Sequence, residues 1–317
     1  MGNYADASTL PRPVGATPQA ARRESYPPQK ACPLNKLTPR TSLYQSGTTL
    51  LPLNSHLSTL TFAYLSSTPY SLALTRLQII FENDQFLVSD KPPCLMIHPS
   101  KPGGPRTVLD ELKQILAFEL LNGGKISLIN RLDRETSGLV LVGKKTETAH
   151  RLHRLMERSE IRKTYTAIVT GWPQAELFTV SQPLLRQGRV RPSRIWLKQA
   201  VHPDGYPSTT EFKVLQQFTR KEGAFSVIQA EPKTGRTHQI RVHLSFAGHP
   251  IVGDKIYGPD ETCYLEFINS GWTKALECKL LLPRQALHAT RLAFTLEHEN
   301  FELTAQLPPD MANFVKA

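Results

Sequence analysis

Asp133 lies between two arginines, Arg131 and Arg134, in the stretch Ile129-Asn130-Arg131-Leu132-Asp133-Arg134-Glu135-Thr136-Ser137-Gly138-Leu139-Val140-Leu141-Val142. Opposite charges at close range favour the ionised form of a carboxyl group. A carboxylate fixed beside cations can act as a nucleophile. The same three residues serve equally as a surface ion pair, so residue types alone leave both readings open. The run Leu139-Val140-Leu141-Val142 that closes the stretch reads as a buried strand, which holds the charged turn at the edge of a rigid core.

Three further stretches carry residues suited to chemistry. Arg162 to Gly171 reads as a strand ending at glycine, and its Tyr165 is either a core aromatic or a ring on which a base can stack, with a hydroxyl able to move a proton. Pro232 to Gly248 reads as a tight turn at Gly235 opening a helix, whose first amides and positive dipole suit an anion. On that helix Ile240, Leu244 and Ala247 line one face, while His238, Arg241 and Ser245 line another. His238 and His243 are five residues apart and fall on different sides, so no metal site is expected from them. Lys91, followed by Pro92-Pro93, is either a phosphate or acid partner or a solvated lysine on a rigid loop.

These stretches together resemble the RluA-type RNA pseudouridine synthases. Arg131-Leu132-Asp133-x-x-Thr136-Ser137-Gly138-Leu139 is similar to the family's catalytic motif, with Asn130 where His is usual. Lys91 to Pro99 resembles a second motif, with Cys94 where Gly is usual. Lys163-x-Tyr165-x-Ala167-x-Val169-x-Gly171 and Thr234-Gly235-Arg236-x-His238-Gln239-Ile240-Arg241-x-His243 match two more. Gly248 to Gly258 and Arg284-Gln285-Ala286-Leu287-His288-Ala289 also follow the family pattern, so the likeness runs from about residue 79 to the C-terminus. The resemblance implies an α+β fold with a mixed, largely antiparallel sheet and helices around a basic cleft. It implies that Asp133 is the nucleophile, that Arg241 pairs with it, and that Tyr165 belongs to the site. Arg131, Arg134, Lys91, Arg236 and His238 are then expected to contact RNA, with Arg236 and His238 on the RNA-facing rim. Gly248 to Gly258 is expected to be a supporting loop.

The elements needed to position these residues are legible as patterns. Ile79 to Asp90 reads as two short strands around an Asn83-Asp84 turn, and Val108 to Leu121 as one helix with Leu109, Leu112, Leu116 and Leu120 on a face. Thr146 to Ser159 reads as a second helix, N-capped by Thr146, with a basic face of His150, Arg151, His153, Arg154 and Arg158 that is either solvated or phosphate-tracking. Residues 181–205, with Arg186, Arg189, Arg191, Arg194 and Lys198, read as a loop or ribbon reaching towards RNA. Thr209 to Leu215 and Ala224 to Ala230 read as strands, and a strand through Leu292 to Leu296 is expected to close the sheet.

Composition agrees with this reading. The chain has 317 residues, 40% apolar and 21% charged, as in ordinary globular proteins. A net charge of +11 favours a polyanionic partner, nucleic acid before an anionic membrane. The four cysteines show no Cys-x-x-Cys or zinc-site spacing, which suits free thiols in a reducing compartment. No apolar run approaches the ~18 residues of a membrane span. Residues 1–75 are rich in Pro, Ser and Thr and poor in acids, and read as a largely flexible extension or an organellar transit peptide. Residues 76–317 read as the catalytic domain. The expectation is a monomeric, cytoplasmic (or organellar) RNA pseudouridine synthase acting on ribosomal or transfer RNA, with neither cofactor nor metal. Its rivals are a catalytically inactive RNA-binding protein of the same fold and, last, a hydrolase built on Ser137 or a histidine.

Overall fold

The computed structural model describes residues 77–99 and 103–316, so the extension expected over 1–75 lies outside the described residues. Strands β1 (Gln78–Glu82) and β2 (Phe86–Lys91) form a hairpin, turned where Asn83 Oδ1 accepts from the amides of Gln85 and Phe86. Helices α1 (Val108–Ile115) and α2 (Ala117–Leu121) follow, then β3 (Ser127–Leu128), β4 (Ser137–Gly143) and α3 (Thr146–Glu157). The single helix expected over 108–121 is therefore two. Leu116, buried in the core, leaves helical geometry at φ −97°, ψ 27°, and Glu119 is drawn to Lys144 at 2.8 Å. Leu120 consequently leaves the apolar face and lies exposed. Thr107 rather than any later residue starts α1, through a capping box with Asp110. Lys145, not Thr146, is the N-cap of α3.

Strands β5 (Arg162–Thr170), β6 (Leu177–Ser181), β7 (Leu184–Arg186), β8 (Gln199–Val201), β9 (Thr209–Arg220) and β10 (Gly223–Pro232) precede α4 (Gln239–Phe246). Then come α5 (Thr262–Ser270), α6 (Lys274–Leu280), β11 (Leu287–Leu296), β12 (Glu299–Thr304) and α7 (Pro309–Lys316). The main sheet runs β1-β2-β4-β11-β5-β10-β9-β6, with β3 added to β4 and β12 to β11. Among the described strands only β4 and β11 pair in parallel and the others pair antiparallel; outside them an isolated parallel bridge joins Met96 to Thr107. The mixed, largely antiparallel α+β architecture is thus as expected. The last long strand differs in place: β11 does not close the sheet but sits in its interior, joining the β4 half to the β5 half. β7 and β8 form a separate two-stranded ribbon inside the 181–205 segment.

The apolar run of β4 is continuous because both of its faces are covered. Leu139 and Leu141 point into one core with Phe86, Val88 and Leu152, while Val140 and Val142 point into the other with Leu87, Leu112 and Ile168. Period-two alternation then places an apolar residue at every position of a two-sided strand. Gly138 is required at its start: at φ +112° a Cβ there would stand 2.3 Å from the carbonyl oxygen of Ala289 on β11. The polar turn 131–136 is thereby fixed at the N-terminal end of the most buried strand of the sheet.

Candidate active site

Asp133 occupies the turn immediately before β4, where the Thr136 amide donates to the Asp133 carbonyl oxygen at 3.1 Å. Three buried cations from three separate elements pin this turn. Lys91 Nζ at the end of β2 donates to Arg134 O at 3.0 Å. Arg284, in the loop before β11, donates to Glu135 O at 3.3 Å, and Lys255 Nζ meets both oxygens of Glu135 at 2.8 Å. The turn bearing Asp133 is therefore held at two backbone carbonyls and at the Glu135 carboxylate, independently of the Asp133 side chain.

The side chain is aimed by α4. Arg241 Nη1 donates to Asp133 Oδ2 at 2.8 Å, while Arg241 Nε and Nη2 donate to the two oxygens of Asp254 at 2.7 and 2.9 Å. Asp254 is wholly buried and also accepts from the amides of Ile256 and Tyr257 at 2.9 and 3.1 Å. One guanidinium thus spends a two-pronged contact on a buried orienting carboxylate and offers its remaining edge to Asp133. Burial pushes the Asp133 carboxyl up, but the neighbouring His238 and Arg241 and the Arg241 hydrogen bond outweigh it, and the group titrates below its usual range. Its side chain is 29% exposed, so the anion is held ionised yet reachable from solvent. Gln285 completes the setting, donating to Thr136 Oγ1 at 2.8 Å with Asp133 Oδ2 at 3.4 Å.

Tyr165, on β5, is buried, and burial together with the Asp133 charge drives its phenol far above its usual pKa. It is a neutral ring at physiological pH. His238 lies deeper than a rim residue, with a side chain only 7% exposed. It takes the left-handed conformation at φ +57° as the cap of α4, whereas Gly235, expected to make the tight turn, has ordinary φ, and a Cβ there would meet only Lys163 Nζ, at 4.0 Å. His238 Nδ1 meets the Tyr257 hydroxyl at 2.8 Å, and Nε2 faces Asp133 Oδ2 at 3.8 Å. Burial and the nearby Arg241 hold the imidazole down to about 4, so it is neutral at pH 7 and forms no ion pair with Asp133.

Lys91 requires a correction. It is fully buried, and its Nζ donates to the carbonyls of Pro92, Leu95 and Arg134 at 2.8–3.0 Å, leaving no donor for a phosphate. Burial lowers its pKa to about 7 against ~10.4 for a free lysine. Between those two values the unfolded chain holds more protons, so this residue makes stability rise with pH across that window. Replacing Lys91 by Met leaves three carbonyls unpaired and is expected to cost about 1–3 kcal/mol in urea unfolding. The slope of RNA affinity against salt is expected to stay unchanged, where a phosphate contact would reduce it.

Arg131, Arg134 and Arg236 are exposed around this floor, with Arg134 Nε reaching Cys94 O at 3.5 Å and Arg236 Nε reaching Pro207 O at 3.3 Å. Of the two departures from the motif pattern, Asn130 is accommodated and Cys94 is strained. The Asn130 carboxamide donates to Leu139 O at 3.1 Å and accepts from the Leu141 amide at 2.8 Å, extending the β3–β4 ladder by one side chain. Cys94 stands at φ +64°, a conformation that glycine adopts freely. Cys94→Gly is therefore expected to stabilise the fold by about 0.5–1 kcal/mol, read as a higher urea midpoint.

Ser137 and His288 do meet, Oγ to Nδ1 at 2.9 Å, but both are buried between β4 and β11 with no access for a substrate. They join the parallel strands and do not form a hydrolytic site. Sequence reasoning missed Asp254, Tyr257, Lys255 and Gln285 as site residues. The first three lie in the 248–258 loop expected to support the site, and the structure shows that the support is direct.

The architecture is shared with two solved human structures, RNA Pseudouridylate Synthase Domain Containing 4 and Domain Containing 1. The first has a TM-score of 0.58 at 22% identity, covering 82% of this chain and 97% of that one; the second has 0.57 at 23%, covering 77% and 95%. The fold is accordingly that of the pseudouridine synthases. Residues 85–246 match the family described as RNA pseudouridylate synthase. Ribosomal large subunit pseudouridine synthase D of Nitrosomonas europaea is 34% identical over 246 residues, covering 76% of this chain and 65% of that protein. The protein of the same name from Yersinia pestis is 33% identical over 249 residues, covering 76% and 70%. An uncharacterized RNA pseudouridine synthase of Chloroflexus aurantiacus is 35% identical over 226 residues, covering 70% and 63%. The chain belongs to the RluA-type RNA pseudouridine synthase family, and it spans about two thirds of the length of these curated relatives.

Proposed function

We propose that this protein isomerises uridine to pseudouridine in RNA, with Asp133 as nucleophile. The observation that carries the reading is the Asp254–Arg241–Asp133 chain, which keeps a carboxylate ionised, aimed and open to solvent beside a neutral buried tyrosine. The target uridine leaves its stack and enters the cleft, as enzymes acting on a base require. Asp133 then either adds to the sugar carbon C1′, displacing N1, and is itself displaced when C5 attacks, or takes the C2′ proton to form a glycal and returns it when C5 bonds to C1′; in both routes the bond from C1′ to N1 breaks and the base turns. A bond from C1′ to C5 forms, the C5 hydrogen departs as a proton and N1 gains one. Atoms and electrons balance without a redox partner.

In this scheme Arg241 holds the nucleophile, Tyr165 packs against the base as an uncharged ring, and Arg131 fills the space the flipped base vacates. Arg134 and Arg236 hold backbone phosphates at the mouth. The working unit is the domain within 76–317, acting as a monomer in the cytoplasm, and it takes no cofactor or metal. Ribosomal RNA is the first substrate pool to try, because two of the relatives above carry names specifying the large ribosomal subunit; transfer RNA is the second. The test is tritium release from carbon 5 of uridine-labelled ribosomal and transfer RNA. Release from one pool establishes the chemistry and selects the substrate class. Absence of release from both, with RNA still bound, would overturn catalysis in favour of a binding role.

A further inference from the structure

The segment from Ser181 to Tyr206 contains five arginines and lysines, Arg186, Arg189, Arg191, Arg194 and Lys198, against a single carboxylate, Asp204, which lies beside His202. It also presents aromatic surface in an unusual way. Trp196 is 73% exposed and Tyr206 is 59% exposed, although buried positions were available a residue away at Ile195. Each ring is backed by a guanidinium on one side: Arg186 lies 3.7 Å from the Trp196 ring centroid, and Arg236 lies 5.5 Å from that of Tyr206. Among the described residues no carboxylate pairs with Arg186, and its buried Nε has no hydrogen-bond partner, so the ring is what holds this guanidinium. A cation stacked on one face of an indole leaves the other face as a flat surface edged by positive charge.

The platform is rigid. Leu184 and Ile195 pack into a cluster with Val242 of α4, Ile256 and Tyr257. Lys198 pairs with Glu261, and the Gln199 amide donates to the Tyr257 hydroxyl at 2.8 Å. Tyr206 extends the ribbon on its other side, exchanging two backbone hydrogen bonds with Leu184 at 2.9 and 3.0 Å. The exposed rings are thus built on the same helix and the same tyrosine that position Arg241 and His238. Exposed aromatics in a segment with five such cations and one carboxylate are a composition suited to single-stranded nucleotides, through stacking and phosphate contact. A rigid mount reduces the ordering cost of such capture.

We propose that the ribbon around Trp196 and Tyr206 is a second RNA-contact surface, on which unpaired nucleotides flanking the target uridine stack while Arg189, Arg191 and Arg194 hold their phosphates. This rests on the RNA reading given above. The occupant is single-stranded RNA rather than duplex, because a stacking ring needs an unpaired base face.

The test compares full-length wild type, Trp196→Ala, Trp196→Phe and Tyr206→Ala in titrations with a labelled single-stranded oligouridylate and in tritium-release kinetics on structured RNA. Trp196→Ala is expected to weaken oligouridylate binding by roughly 5- to 150-fold, with Trp196→Phe restoring most of it. On structured RNA, Trp196→Ala is expected to raise KM and leave kcat near wild type, because the contact is made equally before and during reaction. Arg189→Ala and Arg194→Ala are each expected to reduce the salt slope of binding by ~0.7. Wild-type affinity and KM in Trp196→Ala and Tyr206→Ala, with the wild type itself active, overturn this surface and leave the enzymatic reading standing. A wild type that neither binds nor modifies any RNA overturns both.

Discussion

Asp133→Asn is expected to lower tritium release from RNA by ~10⁴-fold or more while changing RNA affinity only slightly. The magnitude follows from the role: removing a group that forms or initiates the covalent step costs far more than removing one that assists it. The substitution is nearly isosteric, and an amide oxygen still accepts from Arg241 Nη1, 2.8 Å away in the wild type. Binding surfaces are expected to stay in place, since Arg131, Arg134 and Arg236 are exposed side chains and the substitution changes no atom of theirs. The measurement is single-turnover tritium release beside an equilibrium titration with the same RNA. Activity within ~10-fold of wild type would remove Asp133 from the role of nucleophile. A parallel loss of RNA binding would mean that the carboxylate organises the cleft rather than reacts.

Residue types alone left Asp133 a nucleophile or a surface ion pair and Tyr165 a core aromatic or a base platform; the expected site came from the likeness of short motifs with fixed internal spacing to those of a known family. Asp133 precedes an apolar strand, Tyr165 sits within another, and Arg241 follows a turn, so each came with its own positional signal. The strands themselves were legible directly, as apolar runs bounded by turn residues. What stayed hidden depends on contacts between distant segments. Asp254 sits among Gly, Lys and Ile with nothing to mark it as buried, and its role exists only because Arg241, thirteen positions away, folds onto it. Lys91 misled for the opposite reason: a lysine is almost never fully buried unless paired, and this one is paired with carbonyls that leave no trace in composition. The break at Leu116 had no proline or glycine to announce it, and it falls where Leu116 is buried in the core and Glu119 reaches Lys144 of a distant segment. The interior position of β11 could not be read from chain order, since its neighbours β4 and β5 lie well over a hundred residues earlier.

Arg241→Ala is expected to destabilise the fold by about 3–5 kcal/mol and to abolish measurable isomerisation. Asp254 is wholly buried, and removing its partner leaves an uncompensated charge, which is the costly way to break a buried pair. The pH dependence separates this cause from simple loss of packing. In the wild type both Asp133 and Asp254 titrate below their ordinary values, with burial opposing the shift and Arg241 prominent among the groups driving it. Their contribution is therefore fully present above the unfolded value of ~3.9 and is lost as pH falls through the folded values. Without Arg241 the burial that now opposes ionisation prevails and raises both groups. The penalty in the variant is then full at neutral pH and shrinks on acidification, as the two carboxyls take up protons in the folded state. Urea unfolding of wild type and variant at neutral pH and near pH ~4.5 tests this, with a smaller gap expected at the lower pH. A pH-independent gap would assign the loss to packing alone. Arg241→Lys sharpens the test on the catalytic side. An ammonium keeps the charge but lacks the planar fork, so it can satisfy Asp254 or aim Asp133 but not both in the present geometry. Recovery of stability without recovery of tritium release is the expected result, because holding the buried carboxylate needs a charge while directing the reactive one needs the fork.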